Sequence, residues 1–316
     1  MGRFIKRTLM FFCLLGVLLI GMDLLLMHGL RQRRTHVFGV WNRLMNGKMD
    51  AQILFTGSSR SFVHFDAEAI GRSTNKRCFN IGMDGTQINL QYPWLKNYLE
   101  LNPKPELIVQ GVDIISLMPD TQAFYPSQYP PYLNNDAIYN ALIEYDNSWA
   151  RHRYIPFYSL SMFGYGYAGI ATKGLFGLEN RSSDPLNQGY EDRSLEWDGT
   201  FDRFKIANPD GKRYGIDPRG VEQLKKTVKL ALGHNVPIVL VYAPELAENF
   251  AYTIDRNEII AVYQDLSEEF NIPFWDLSKM GICEHRKYFY NSQHLNVSGV
   301  AVLTKEVSTL INEFLN

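Results

Sequence analysis

The sequence predicts an α/β protein: a doubly wound parallel sheet interrupted by an aromatic-rich insertion and preceded by one N-terminal transmembrane helix. Three features predict it. Every residue from Leu9 to Met22 is apolar or glycine, and Leu24 to Met27 extend the run beyond Asp23, close to the roughly 20 residues that cross a bilayer. Short apolar runs then alternate with amphipathic stretches, the rhythm of strands joined by crossover helices. From Met118 to Arg213 that rhythm stops, in a segment rich in Tyr, Phe, Pro, Asn and Gly.

The anchor comes first. Arg3, Lys6 and Arg7 precede the apolar run and mark the tail as cytoplasmic under the positive-inside rule, while Arg31, Arg33 and Arg34 on the other flank weigh against that orientation. No small-x-small cleavage site follows the run, and Phe12 before Cys13 is too bulky for a lipidation site, so the segment reads as an uncleaved anchor. Asp23 is tolerable only towards one end of the span. The expected organisation is a tail and anchor over 1–30, a juxtamembrane linker over 31–50, and an α/β domain over 51–316 with the insertion at 118–213.

The chain has 316 residues, 46% of them hydrophobic and 21% charged, with a net charge of -1. That composition supports one sizeable core and excludes disorder or a nucleic-acid-binding charge balance. Cys13, Cys78 and Cys283 have no repeated spacing, which excludes a disulfide scaffold and a zinc framework and leaves Cys78 and Cys283 as buried thiols.

Strands are expected at Gln52–Thr56, Arg77–Ile81, Leu107–Gly111, Ile238–Ala243 and Ile272–Trp275, each too short for a helix and bounded by Gly, Pro or polar residues. Helices are expected at Leu90–Leu101, Val221–Leu232 and Val300–Leu315. The second places Val221, Leu224, Val228 and Leu232 on one face. Gly164, Gly166 and Gly169 spell a dinucleotide-binding pattern, but no strand precedes them and no ribose-binding acid follows.

Two loops carry chemistry. The first strand ends in Thr56-Gly57-Ser58-Ser59-Arg60, at the carboxyl edge where open α/β sheets bind ligands. A serine there is nucleophilic only with a base in hydrogen-bond reach. Tyr290-Asn291-Ser292-Gln293-His294-Leu295-Asn296 follows the last strand and supplies an imidazole at the same edge. Arg60 and Glu245 are salt-bridge or helix-start residues first and substrate contacts second. His64, His152, His234 and His285 have no comparable context.

These blocks resemble the SGNH, or GDSL-type, hydrolases over nearly all of Asp50–Asn316: Gly57-Ser58-Ser59 looks like the first block, and Asn291-Ser292-Gln293-His294 like the last. The run His294-Leu295-Asn296 with Gly299 is similar to membrane-anchored bacterial members that act on cell-surface polysaccharides. The resemblance implies a flavodoxin-like sheet, Ser59 as nucleophile, His294 as general base with Asn291 beside it, and an oxyanion hole from the N–H groups of Ser59 and Gly85. Gly82 competes with Gly85 for that role, and Asp113, at the third-block position, is the third expected member of the oxyanion hole.

Two positions depart from the family pattern. Asn291 replaces the last-block aspartate, and an amide orients an imidazole without stabilising its cation as a carboxylate does. In Gly111-Val112-Asp113 an acid replaces the amide donor of G-x-N. The resemblance implies a serine esterase or O-acyltransferase acting on acylated cell-envelope or extracellular polysaccharide without a cofactor. It would sit single-pass in the bacterial inner membrane with a periplasmic domain, among envelope polysaccharide-assembly proteins and with no nucleic-acid partner. The alternative is a catalytically impaired glycan-binding or scaffolding protein of such an assembly.

Overall fold

A computed structural model describes residues 1–119, 123–179 and 186–316. The chain forms two compact units, one of Met1–Asn42 with Tyr125–Asp184 and one of Arg43–Phe124 with Pro185–Asn316.

The second unit holds the sheet: β1 (Ile53–Thr56), β2 (Cys78–Asn80), β3 (Leu107–Val112), β4 (Ile238–Tyr242) and β5 (Phe274–Asp276). All neighbours are parallel, in the order β2-β1-β3-β4-β5, so the fold is α/β with the doubly wound order 2-1-3-4-5. All five expected strands form, with ends displaced by a residue or two. β1, β3 and β4 are buried along their whole length, which explains their continuous apolar runs. A two-residue antiparallel ladder pairs Leu186–Asn187 with Tyr190–Glu191.

The first unit opens with α1 (Gly2–Arg31) and most of α2 (His36–Met45). Helix α1 is long and apolar enough to cross a membrane. Within the second unit come α3 (Ser59–His64), α4 (Ala67–Thr74) and α5 (Ile88–Leu101). The first unit resumes with α6 (Asp136–Ile143), α7 (Trp149–Tyr154), α8 (Tyr158–Phe163) and α9 (Tyr165–Leu175). The second unit closes with α10 (Thr200–Ala207), α11 (Pro218–Gly233), α12 (Arg256–Phe270) and α13 (Val297–Leu315).

The three expected helices correspond to α5, α11 and α13. Helix α11 begins at Asp217, whose side chain accepts from the Arg219 N–H, with Pro218 at its first position. Its face of Leu224, Val228 and Ala231 is buried; Leu232, expected on that face, is 39% exposed. The aromatic segment is helical between Asp136 and Leu175 rather than irregular. Gly164 caps α9, where Gly166 and Gly169 face open space.

The main core gathers Ile53, Phe55, Val109, Val239 and Val241 from the sheet with Leu303, Val307 and Ile311 from α13. Cys78 and Cys283 are buried in it, and all three cysteines are unpaired.

Candidate active site

The site is built where four loops leave the carboxyl edge of the sheet and a fifth arrives before α13. After β1 the backbone passes through Gly57 at φ +142°. A Cβ there would strike the Ser61 hydroxyl and lie 2.8 Å from the Gly111 carbonyl oxygen, so only glycine makes this turn. Ser58 then caps α3, its hydroxyl oxygen accepting from the Arg60 N–H at 3.2 Å. Ser59 is thereby the first residue of α3. Its N–H has no acceptor within the helix and lies at the end where partial positive charge accumulates.

The structure brings Ser59, His294 and Asn291 together. Ser59 Oγ lies 2.9 Å from His294 Nε2, although 235 residues separate them. On the far side of the ring, His294 Nδ1 is 3.0 Å from Asn291 Oδ1. That oxygen also accepts from the N–H groups of Gln293 and His294, each at 3.0 Å. Two backbone donors fix which amide atom faces the ring: it is the oxygen, which only accepts. The Nδ1 therefore carries the proton, and Nε2 presents a lone pair to the serine hydroxyl.

His294 is half-buried. Burial, then the charges of Arg60 and Arg193, push its pKa down to about 3. The imidazole is thus fully unprotonated near neutrality and ready to accept a proton, but the cation formed on acceptance meets no carboxylate among the described residues. The Tyr290 ring stacks on His294, with centroids 5.3 Å apart and planes 6° from parallel.

Of the two loop glycines, Gly82 has its N–H committed: Asn80 Oδ1 accepts it at 2.8 Å. Gly85 lies at φ +64°, and its N–H has no hydrogen bond among the described residues, which leaves it available as a donor. Asn80 also donates through Nδ2 to the carbonyls of Ser61 at 2.7 Å and Phe65 at 3.0 Å. One amide thus joins the loop after β2 to the middle and the C-terminal end of α3.

Asp113 differs from its expected place in an oxyanion hole. One carboxylate oxygen accepts the Ser58 hydroxyl and the other accepts the Ile115 N–H at 2.8 Å. A carboxylate so engaged is an acceptor closing the turn after β3 and offers no donor. The acid at this position is accounted for by Ser58, whose hydroxyl donates a hydrogen bond to the buried carboxylate.

Several neighbours of the site were not legible in the sequence. His64 is fully buried, its Nε2 accepting the Leu295 N–H at 3.0 Å, with its ring edge-on to His294 at 5.9 Å. Burial, then Arg60 and His294, hold its pKa well below the ordinary value.

Arg60 is 4% exposed and does not reach solvent. It donates to the Ala243 carbonyl, lies over the Tyr242 ring and pairs with Glu245 at 3.7 Å. Glu245 is fully buried and also accepts from the Tyr242 hydroxyl at 2.6 Å and Arg256 Nε at 3.2 Å. Burial lowers the Arg60 pKa, but Glu245, Tyr242 and Asp113 outweigh it and the net shift is upward. Both residues belong to a buried ionic cluster beside the nucleophile's helix rather than to a substrate contact.

The later part of the aromatic segment frames the cleft. Arg193 donates to Asp84 at 2.9 Å, Glu191 at 2.6 Å and the Tyr290 hydroxyl at 3.2 Å. A cavity of about 250 Å³ beside His294 is lined by Phe201, Phe204, Tyr214, Asn249 and Gln293, among others. Aromatic walls with a few amide groups are the usual make-up of a small-ligand cleft.

No protein-family model matches the chain, and no curated protein is similar to it in sequence. Among solved structures, similarity is found to a provisionally assigned acylhydrolase of Bacteroides fragilis, at 12% identity over 84% of this chain and 88% of that one, TM-score 0.40. A GDSL-like lipase of Bacteroides thetaiotaomicron gives 10% identity over 83% and 87%, TM-score 0.36. A family two carbohydrate esterase of Clostridium thermocellum, solved with cellohexaose, gives 8% identity over 84% of this chain and 65% of that one, TM-score 0.40. At these scores the likeness carries no argument about activity, and the chemistry rests on the geometry of Ser59, His294 and Asn291.

Proposed function

We propose that the chain is a membrane-anchored SGNH-type serine esterase or O-acyltransferase acting on ester-linked acyl groups of cell-envelope or extracellular polysaccharide. The observation that carries this reading is the 2.9 Å contact between Ser59 Oγ and the unprotonated Nε2 of His294, within the range required of a nucleophile and its base.

His294 takes the Ser59 proton as the oxygen attacks an acyl carbonyl. The tetrahedral oxyanion is received by the N–H groups of Ser59 and Gly85, and each such donor is worth roughly 100- to 1000-fold in rate. His294 then gives its proton to the departing sugar oxygen, leaving an acyl-serine. Water or a second sugar hydroxyl, deprotonated in turn by His294, removes the acyl group and frees Ser59. Every step is a proton transfer or an acyl exchange, so no metal or organic cofactor is invoked.

The location is the bacterial inner membrane, with α1 as a single pass and the α/β domain in the periplasm. Two of the basic residues that oppose this orientation have structural partners: Arg33 is buried against Glu179, and Arg31 donates to the Pro131 carbonyl at 2.7 Å. Arg3, Lys6 and Arg7 remain exposed, which supports a cytoplasmic tail.

The test is turnover of a fluorogenic acetyl ester by the full chain in detergent. Ser59→Ala should lower kcat by at least about 1000-fold, since triad members act as a unit, with the melting temperature retained. A Ser59→Ala protein as active as the parent would end the esterase reading.

A second reading, a catalytically impaired glycan-binding or scaffolding protein, is favoured by one arrangement: Asn291 and Asp113 supply neither the carboxylate nor the amide that the family uses. Absence of turnover by the unmodified chain, together with retention on immobilised envelope glycan, would select it.

A further inference from the structure

We propose that the segment Tyr154–Tyr165, which comprises the end of α7, all of α8 and the start of α9, is a second membrane contact. It lies in the headgroup–acyl boundary of the bilayer that α1 crosses, and so rests on the anchor reading above.

The placement follows from how α1 and α9 pack within their common unit. Side-chain-free faces meet at Gly29 and Gly174, and a Cβ on Gly29 would be 3.0 Å from the Ala171 carbonyl carbon. Two turns earlier, Asp23 Oδ1 accepts the Phe157 N–H at 2.9 Å, at the entry to α8. Burial, then the Asp23 carboxylate, raise the Tyr167 pKa, which sets Tyr167 near Asp23. Asp23 to Gly29 spans about 9 Å of helix and Tyr167 to Gly174 about 10 Å, so α1 and α9 run side by side in the same direction. Tyr165 and the α8–α9 turn therefore lie about 3 Å further towards the exposed apolar part of α1.

Asp23 itself sits about 6 Å before the end of the apolar run at Met27. Whatever is hydrogen-bonded to Asp23 shares its depth, and interfacial segments rest about 5–10 Å into the headgroup–acyl boundary. The side chains at that level are of the matching kind. Tyr154, Ile155, Met162 and Tyr165 are all exposed, Tyr165 at 93% and Met162 at 59%. Tyrosines with aliphatic neighbours, apolar in body and polar at the tip, are what the interface selects. Asp23 thereby gains a function: its carboxylate receives a backbone donor that water would not reach inside the apolar layer.

The probe is an environment-sensitive fluorophore on single cysteines of the full chain, in a Cys13→Ser background that leaves only the buried Cys78 and Cys283. The chain is reconstituted into phosphatidylethanolamine–phosphatidylglycerol vesicles containing lipids brominated near the headgroup or deep in the acyl chain. Met162→Cys and Tyr165→Cys should be quenched by the shallow bromines at least about twofold more than Phe176→Cys, which lies about 16 Å further along α9. Phe176 is 72% exposed and so serves as a control of equal accessibility. Leu18→Cys reports the anchor through the deep bromines. Leu18 quenched while Met162 and Tyr165 match Phe176 overturns the second contact and leaves the anchor standing. Leu18 unquenched by either lipid overturns both.

Discussion

Asn291→Asp returns a carboxylate to the position where the imidazole is held, and its effect is worked from the distances around His294. The two backbone donors and the ring Nδ1 all point at one oxygen, so an aspartate receives the same three bonds without rearrangement. A charge about 4 Å from the imidazolium, at an effective dielectric constant of about 20, is worth about 4 kcal/mol. That is about 3 pKa units, enough to lift His294 from about 3 to about 6. Desolvation of the new carboxylate, in the same surroundings that depress His294, offsets part of that gain.

The general base then titrates near the working pH, where proton transfer is most effective, and the cation formed during attack is stabilised. Loss of the corresponding carboxylate lowers a serine protease by about 10⁴-fold, so restoring one here should raise kcat by about 10- to 1000-fold. The assay is acetyl-ester hydrolysis from pH 4 to 9, with the histidine ring protons followed by NMR. The parent should show a low plateau with no acid limb above pH 4, and the variant a higher plateau with an acid limb near pH 6. A variant whose imidazole still titrates near 3, or whose kcat falls, would refute the account of Asn291.

Three further outcomes follow from the buried polar groups. Ser58→Ala removes both the cap on α3 and the hydroxyl held by Asp113, and should lower stability by about 2–4 kcal/mol in denaturant melts; an unchanged midpoint would mean that Asp113 finds another donor. Glu245→Ala strands Arg60 and Arg256 and should cost about 3–5 kcal/mol. Adding Arg60→Met should recover part of that loss, whereas simple additivity of the two changes would deny the coupling. The folded-state pKa of His294 lies below the unfolded value near 6.5, so the unfolded chain binds the extra proton and stability falls as pH drops from about 6.5 towards 3. His294 alone contributes a loss of about 3 kcal/mol by pH 4, measurable as a smaller acid shift in melting temperature for His294→Gln than for the parent.

The fold was legible because β1, β3 and β4 are buried on both faces, which forces uninterrupted apolar runs that no other element of that length produces. Ser59, His294 and Asn291 were legible because turn glycines and the family-like blocks mark their loops. Arg60 and Glu245 were not: a charged pair hidden from water depends on strands β1 and β4 being separated only by β3, and nothing local records that. His64 is silent for the same reason, since its partner is a backbone N–H 231 residues away. Asp113 misled because the motif position was read by residue type, while its role is set by the Ser58 hydroxyl across the sheet edge. The helices of the aromatic segment escaped because short helices rich in Tyr, Gly and Phe have weak intrinsic propensity and are held by packing within their own unit.

The triple attachment made by Asn80 has a bearing on what the chain could learn to accept. A single carboxamide spans the gap between the nucleophile's helix and the backbone leading to Gly85, so slack introduced on either side is felt on both. Room for a bulkier acyl group or acceptor cannot come from loosening that seam without spoiling the hydrolytic geometry. It has to come from the opposite bank, where Phe201, Phe204 and Tyr214 stand, and selectivity is accordingly expected to drift with those rings while the reactive trio stays put.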